Sequence, residues 1–508
     1  MPTTAELIRR GAAQHAARVA VRWADAELSY REVFATACRI GNALQDAGVG
    51  PGQHVALLVG NGPHSVPTDF GMVLSGLVRV PLNARLSLDE HLHMLQQSHT
   101  TLLLHDAALA ARAGELAQRL PGLRCFGLGT ASATGGPDVL AHADASDRHL
   151  DADPSDPLLL LFTSGTTGKL KAVIHTQGSY AAIAANMLAN LVDARPGSTM
   201  LHAASLIHAS GTFVLPYWVR GGASAVLAGF EPREFAAAIA RYQVTEINLV
   251  PTMIAMLLGS GALDGADLSS LRQVIYGASP MPRPVLARAI ERFGPMLWQY
   301  YGQTEAPLCM TVLSAADHAD PGLWGACGQP AVDADLRLVD DGGKAVAGEG
   351  VGEIQVRAPF AMAGYHDADA LNAEMRAGDG WLRTRDVARR DERGYLHLID
   401  RTSDMIITGG YNVYPREVED VILGHPAVAE CAVVGAPDPK WVEAVTAFVK
   451  LEPGRSLSEA EVVELVRAKL APHKAPKAVH FVADIPKSAV GKILRRALRE
   501  RLRQEQGQ

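Results

Sequence analysis

No stretch of this 508-residue chain is apolar enough, for long enough, to cross a bilayer as a helix. A span needs about 18 uninterrupted apolar residues, and none occurs. The first residues, MPTTAELIRRGAAQHAARVAV, also lack the apolar core of a secretory leader. Cysteine is scarce. Cys38, Cys125, Cys309, Cys327 and Cys431 are scattered, odd in number and include no C-x-x-C pair, which argues against a disulfide framework or a structural zinc site. A reducing cytoplasm is the expected location. Nor is there an excess of basic charge: 47 Lys and Arg face 54 Asp and Glu, for a net charge of −7. That excludes a global footprint for nucleic acid, although a local cationic cluster can still hold a small anion. What is abundant is ordinary core material, 48% hydrophobic against 20% charged residues. The chain therefore reads as globular, and its length calls for more than one domain.

The first three-fifths alternates helical and strand-like patterns. Residues 31–48 have helical periodicity and are followed by a strand-like HVALLVG at 54–60. Buried-strand runs recur at 158–162, 244–250, 272–276 and 296–301, with helical stretches such as 231–242 and 282–293 between them. Strands separated by helices imply parallel sheets with covered faces. Residues 125–150, rich in Ala and Gly, read as a loop. From about residue 332 short strands punctuated by glycine suggest a small β-barrel or antiparallel sheet. A polar run at Asp400-Arg401-Thr402-Ser403-Asp404 precedes a new α/β pattern, which places a domain boundary there.

The most informative segment is LLLLFTSGTTGKLKAVIHT, residues 158–176. A buried strand runs into Thr163, Ser164, Gly165, Thr166, Thr167, Gly168 and Lys169, with Lys171 just beyond. Glycines let backbone N–H groups turn toward one point, the hydroxyls add donors, and two lysines supply positive charge, as a polyphosphate requires. It is not a Walker A loop: only Thr166 and Thr167 separate Gly165 from Gly168, and Leu170 follows Lys169. Gly277-Ala278-Ser279-Pro280 resembles a nucleophile elbow only superficially, because Met281 stands where its last glycine belongs.

With these segments in hand, nearly the whole chain resembles the superfamily of adenylate-forming enzymes that includes acyl- and aryl-CoA synthetases, luciferase and peptide-synthetase adenylation domains. The loop at 163–171 is similar to that family's T-S-G-T-T-G-x-P-K-G, with Leu170 for proline and Ala172 for glycine. Gln299-Tyr300-Tyr301-Gly302-Gln303-Thr304-Glu305 resembles its Y-G-x-T-E, and Trp381 to Asp386 its G-W-x-x-T-G-D, with Arg385 for glycine. Ser205 to Gly211, Gly409-Gly410-Tyr411-Asn412 and Pro486 to Ile493 resemble further segments in the family's order.

The resemblance implies an α/β fold. A large N-terminal domain, residues 1–400, would bind acid and ATP with mostly parallel sheets flanked by helices and a small β-barrel at about 325–400. A hinge at 401–403 would lead to a small mobile α+β C-terminal domain, 404–508. It also implies roles. Gly277, Ala278 and Ser279 would cover the adenine, Tyr301 would stack on it beside Tyr300 and Gly302, and Gln299 would stand near its amino group. Thr304 would contact the α-phosphate, Glu305 would coordinate Mg²⁺, a cation that takes carboxylate and phosphate oxygens, and Asp386 and Arg401 would hold the ribose. His208 would stand between the acyl site and the coenzyme A tunnel, with Gly409, Gly410 and Trp441 on the coenzyme side. Lys492 would be the adenylation lysine, acting with Thr166 and Lys171. Asn186, Ala209, Ser210, Asn248, Tyr300, Pro307 and Leu308 would surround the acyl group. A solvent-facing Arg385 is expected, and Ser403 would be the hinge residue, which only has to absorb a φ/ψ change.

The implied activity is ATP-dependent carboxylate–CoA ligation through an acyl-adenylate, with a medium- or long-chain fatty acid or an aryl acid as substrate. ATP, Mg²⁺ and coenzyme A are the expected cofactors and co-substrates, and a homodimer is left open. Three other readings within the resemblance are an acyl-AMP ligase that loads a carrier protein, a luciferase-type oxygenase, and a peptide-synthetase module. The last is disfavoured because no carrier domain follows before Gln508. From other classes, a P-loop NTPase fails on loop spacing. A non-catalytic nucleotide-binding regulator would be expected to lack Glu305 and Lys492.

Overall fold

The computed structural model describes residues 2–506 apart from Ala133, 165–169, His208, Asp341, 402–403, 409–410, Pro439 and 488–492, and apart from the side chains of Ser164, Ala209, Arg401, Asn412, Glu505 and Gln506. Among the described residues its framework is four sheets. The largest has nine strands. Six of them run parallel through its centre: Leu297–Tyr301, Gln273–Tyr276, Glu246–Leu249, Thr199–His202, Ala223–Val226 and Val19–Trp23. Antiparallel strands close both edges. A seven-stranded sheet has five parallel strands and an antiparallel end formed by Leu170–Thr176 and the two-residue strand Gly364–Tyr365. The central strands Thr199–His202, Glu246–Leu249 and Gln273–Tyr276 are buried throughout, as expected when helices cover both faces of a parallel sheet.

The two large sheets share a helical layer. Helix Tyr30–Asp46 turns Tyr30, Val33 and Ala37 into the core beside the nine-stranded sheet, and Ile40, Ala43 and Leu44 into the core beside the other. Its start is fixed by a capping box, in which Ser29 and Glu32 satisfy each other's free backbone N–H. It packs on helix Ser65–Leu74 at van der Waals limits. A Cβ at Gly71 would come within 2.6 Å of the Ala37 carbonyl oxygen, so the close crossing requires glycine.

Two expectations change. Residues 335–401 form an open, four-stranded antiparallel sheet, Asp335–Val339, Gly350–Arg357, Leu382–Arg390 and Leu396–Arg401, and not a closed barrel. The stretch at 125–150 is not loop throughout, because Arg124–Leu128 is an edge strand of the seven-stranded sheet. The fourth sheet begins at Ile406–Thr408 and carries helices Pro415–Leu423, Glu459–Arg467 and Arg495–Gln506 on its own two cores.

Candidate active site

Three sheets meet on the segment Tyr301–Glu305. Strand Leu297–Tyr301 of the nine-stranded sheet delivers it. From the seven-stranded sheet, His175 Nε2 lies 2.7 Å from the Thr304 carbonyl oxygen, and the Tyr365 hydroxyl donates to Glu305 Oε1 at 2.6 Å. From the antiparallel sheet, Asp386 Oδ2 accepts the Tyr301 hydroxyl at 2.6 Å and also the Gln303 amide. Gln303 donates as well to the Thr384 carbonyl, at 2.9 Å. Ligand sites of open α/β sheets lie beyond the carboxyl ends of their strands, and this junction is such an end.

Thr163 and Lys171 pair across an antiparallel hairpin formed by Pro157–Ser164 and Leu170–Thr176. The strand that precedes the Ser/Thr/Gly segment is followed by a second strand, Leu170–Thr176, and not by a helix, which separates the arrangement from a P-loop. Lys171 Nζ stands 5.8 Å from the Tyr365 ring centroid. Partial burial and the nearby Arg385 hold its pKa below the ordinary lysine value, against the opposing pull of Glu374 and Glu305. His175 is fully buried, and burial lowers its pKa to about 4, so it is a neutral structural group at physiological pH.

On the adenine side, strand Gln273–Tyr276 ends at Gly277, where a Cβ would meet the Tyr300 carbonyl oxygen at 2.6 Å and its ring at 2.7 Å. Ala278 follows with φ of +67°. The pair turns the backbone sharply past Tyr300, whose pKa burial pushes up to about 12. A relay orients Gln299. His318 Nδ1 lies 2.6 Å from the Ser314 carbonyl and so carries the ring proton, while burial keeps the imidazole neutral. Its Nε2 accepts the single proton of the Tyr276 hydroxyl at 2.8 Å. The phenol oxygen is 3.0 Å from the Gln299 carboxamide oxygen. With its proton committed to His318 it can only accept, so the amide belongs turned over, with NH₂ toward Tyr276 and the carbonyl toward the ligand side.

Several candidates lie outside the described residues: Gly165, Thr166, Thr167, Gly168, His208, Ser403, Gly409, Gly410 and Lys492, together with the side chains of Ser164, Ala209 and Arg401. The base of the loop that carries Lys492 is described. Lys487 and Ile493 form a β-bridge and Leu494 N donates to the Pro486 carbonyl at 2.8 Å. Helix Arg495–Gln506 follows, with Arg495 donating to both oxygens of buried Glu419 at 2.9 and 2.7 Å and Arg499 to Asp404 at 3.0 Å. Trp441 is flanked by Lys440 and Lys477, whose ammonium groups lie 4.9 and 5.3 Å from its ring. Ile407, Tyr411 and Val442 are exposed on the same sheet.

Comparison with known proteins adds the decisive observation. The model of the AMP-binding enzyme family matches residues 8–366, and that of the AMP-binding enzyme C-terminal domain matches residues 417–492. The chain belongs to the AMP-binding enzyme family. It is an adenylate-forming ligase of the acyl-CoA synthetase type. The medium/long-chain-fatty-acid–CoA ligase FadD8 of Mycobacterium tuberculosis is 38% identical over 90% of this chain and 83% of its own length. Feruloyl-CoA synthase of an Amycolatopsis species is 36% identical over 95% of each chain. The solved structure of the amide bond synthetase McbA from Marinactinospora thermotolerans superposes with a TM-score of 0.91 at 32% identity, covering 98% of this chain and 99% of that one.

Two positions near the candidate site hold strained backbone. Arg385, which stands where the resembled motif has glycine, and Val442 beside Trp441 both keep left-handed backbone, with φ of +59° and +70°. Such a conformation costs an L-residue roughly 1–2 kcal/mol. At Arg385 the strain is held by Glu353, which accepts the Arg385 N–H at 3.0 Å, and by Glu374, which pairs with its guanidinium at 2.6 Å. Arg385 is thus ion-paired and three-quarters buried, at 24% side-chain exposure, and not solvent-facing. Sequence reasoning did not find Tyr365, His175, Gln303, Tyr276 or His318. Gln303, His175 and Tyr276 lie inside or beside the quoted segments, but what each of them and Tyr365 touches is decided by pairing across the fold, and His318 enters only through Tyr276.

Proposed function

We propose that this chain activates an aryl carboxylic acid bearing a polar ring substituent, first as the acyl-adenylate and then as the CoA thioester. The observation that carries the acid class is a pair of buried polar atoms without hydrogen-bond partners, Asn248 Nδ2 and Asn186 Oδ1. Both residues belong to the expected acyl pocket. Asn248 lies next to Tyr300, which faces Phe213 at 6.2 Å between ring centroids, and Asn186 donates to Asp333. A buried donor and a buried acceptor left open beside two aromatic rings favour a flat substrate with its own hydroxyl or similar group, since an alkyl chain would leave both unpaired.

In this reading the carboxylate attacks the α-phosphorus of ATP in line, the new P–O bond forms, and pyrophosphate leaves. Charge spreads over phosphoryl oxygens, so the protein contributes position and cationic stabilisation. Lys492, Lys171 and the hydroxyl loop would supply the charge and donors. Tyr301, Asp386 and Gln299 would hold the nucleoside. Glu305 fits a Mg²⁺ ligand in type, because it is a carboxylate at the strand-end junction with its other contacts already ordered by Tyr365. The metal would add Lewis-acid charge at the phosphates. In the second step a thiolate attacks the mixed anhydride and AMP leaves.

Coenzyme A as the acceptor is supported by Trp441 between two lysines, a cationic aromatic surface suited to a nucleotide diphosphate. The likeness to McbA favours a second reading, in which an amine takes the acyl group. The test is a panel of hydroxylated benzoic and cinnamic acids against straight-chain acids, with AMP formation measured with CoA, with a simple amine, and with neither. The account expects phenolic acids to lead and CoA to make turnover continuous. Preference for straight-chain acids would overturn the acid class, and continuous turnover with amine alone would overturn the acceptor.

A further inference from the structure

We propose that His99, His366 and Asp367 form a binding site for a zinc-type transition-metal cation, separate from the Mg²⁺ and nucleotide chemistry. The three side chains come from two segments distant in sequence. His99 follows helix Leu88–Gln97 and its cap Ser98. His366 and Asp367 follow the edge strand Gly364–Tyr365, and the His366 N–H donates to the Ala172 carbonyl at 2.9 Å. His99 Nε2 lies 2.7 Å from Asp367 Oδ2, and His366 Nε2 lies 3.6 Å from the same oxygen. All three donor atoms fall within 4.8 Å of one another.

Donors on one zinc ion sit about 2.0–2.2 Å from it, so they must approach each other to roughly 3–4 Å. The His366–Asp367 separation already suits this, and His99 and Asp367 would part slightly and exchange their hydrogen bond for the ion, which their 70% and 63% side-chain exposure permits. Two imidazoles and one carboxylate suit zinc, copper or nickel and do not suit magnesium or calcium, which select oxygen.

Two further observations single this cluster out from an ordinary surface ion pair. His366 Nε2 is shielded from solvent and has no hydrogen-bond partner, and an unpaired buried polar atom in a folded protein calls for an explanation such as an ion. His99 and Asp367 both adopt left-handed backbone, with φ of +50° and +48°. That conformation is uncommon outside glycine and is found where surrounding structure enforces it. A third imidazole, His54, stands 5.5 Å from the His366 ring and is fixed through Nδ1 on the Ser98 carbonyl at 2.6 Å. In the neutral ring that bond leaves its Nε2 with a lone pair.

The site would clamp the turn after Gly364–Tyr365 to the end of helix Leu88–Gln97, next to the tyrosine that orders Glu305. The test is calorimetric titration of the full-length chain with Zn²⁺ in excess Mg²⁺, with Co²⁺ absorption as a second readout. One ion per chain is expected, undisplaced by Mg²⁺. H366Q and D367N should each weaken binding by about 10-fold or more. H99Q, on the exposed side, should do the same while leaving AMP formation unchanged. Thermal unfolding of each variant checks that it is folded. Absence of stoichiometric Zn²⁺ binding would overturn the proposal, as would equal affinity in a folded H99Q/H366Q double variant.

Discussion

Asp386→Asn tests how the nucleoside is held. In the wild type one oxygen, Oδ2, accepts from both Tyr301 and Gln303, and the carboxylate is buried at 6% exposure. Asparagine keeps one acceptor oxygen, and these two donors will claim it. The new NH₂ would then face the ribose that the proposed site holds there, where an acceptor is needed. The loss is that of a hydrogen bond to a charged group, about 1.5–3 kcal/mol, which corresponds to roughly 10- to 150-fold. It should fall on kcat/KM for ATP with little effect on the KM of the acid. Because the Tyr301 contact survives, the unfolding midpoint should move by only a few degrees. Steady-state kinetics with ATP varied at saturating acid measures it. A folded Asp386→Asn enzyme within 3-fold of wild type for ATP would refute the ribose role. Tyr301→Phe supplies a control: it should cost less alone, and the double variant should fall short of the product of the two effects.

Three other outcomes follow from the geometry. Tyr276→Phe frees the Gln299 amide to turn, so the preference for ATP over GTP should drop by about 2- to 10-fold, one hydrogen bond's worth; an unchanged ratio would remove Gln299 from base recognition. Glu246 is buried and its pKa is raised from 4.5 to about 7, chiefly by burial. The folded state therefore binds the proton more tightly, so its stabilisation is complete below about pH 4.5 and is lost as pH rises through 7, by up to about 3 kcal/mol. Glu246→Gln should flatten the fall in unfolding midpoint across that window, and an identical pH profile would contradict the burial argument. Val442→Gly should raise the unfolding midpoint of the C-terminal unit, since relief of the left-handed valine, roughly 1–2 kcal/mol, exceeds the entropic cost of glycine, about 0.5–1 kcal/mol. A lowered midpoint would mean that the conformation is unstrained.

Much of the architecture was legible because periodicity is local. The helix expected at 282–293 is Arg283–Phe293, and the strand expected at 272–276 is Gln273–Tyr276. The family resemblance likewise assigned Tyr301, Thr304, Glu305 and Asp386 to one site, and these residues do lie at one junction. What stayed hidden depends on pairing between distant segments. Gly364–Tyr365 is a strand only because Leu170–Thr176 offers it an edge, so nothing local marks Tyr365 as the partner of Glu305. Arg385 read as an exposed replacement for glycine, because the Glu353 carboxylate that accepts its N–H is 32 residues away. The antiparallel sheet read equally well as a barrel, since closure is decided by which first and last strands meet and not by their composition.

The central claim is adenylate chemistry, and the nucleotide product tests it most directly. The wild-type chain, incubated with ATP, Mg²⁺ and an accepted acid in the absence of CoA, should yield AMP-linked acid and pyrophosphate in a single turnover, resolved by chromatography and phosphorus NMR. Release of ADP and inorganic phosphate from the same mixture would contradict the account.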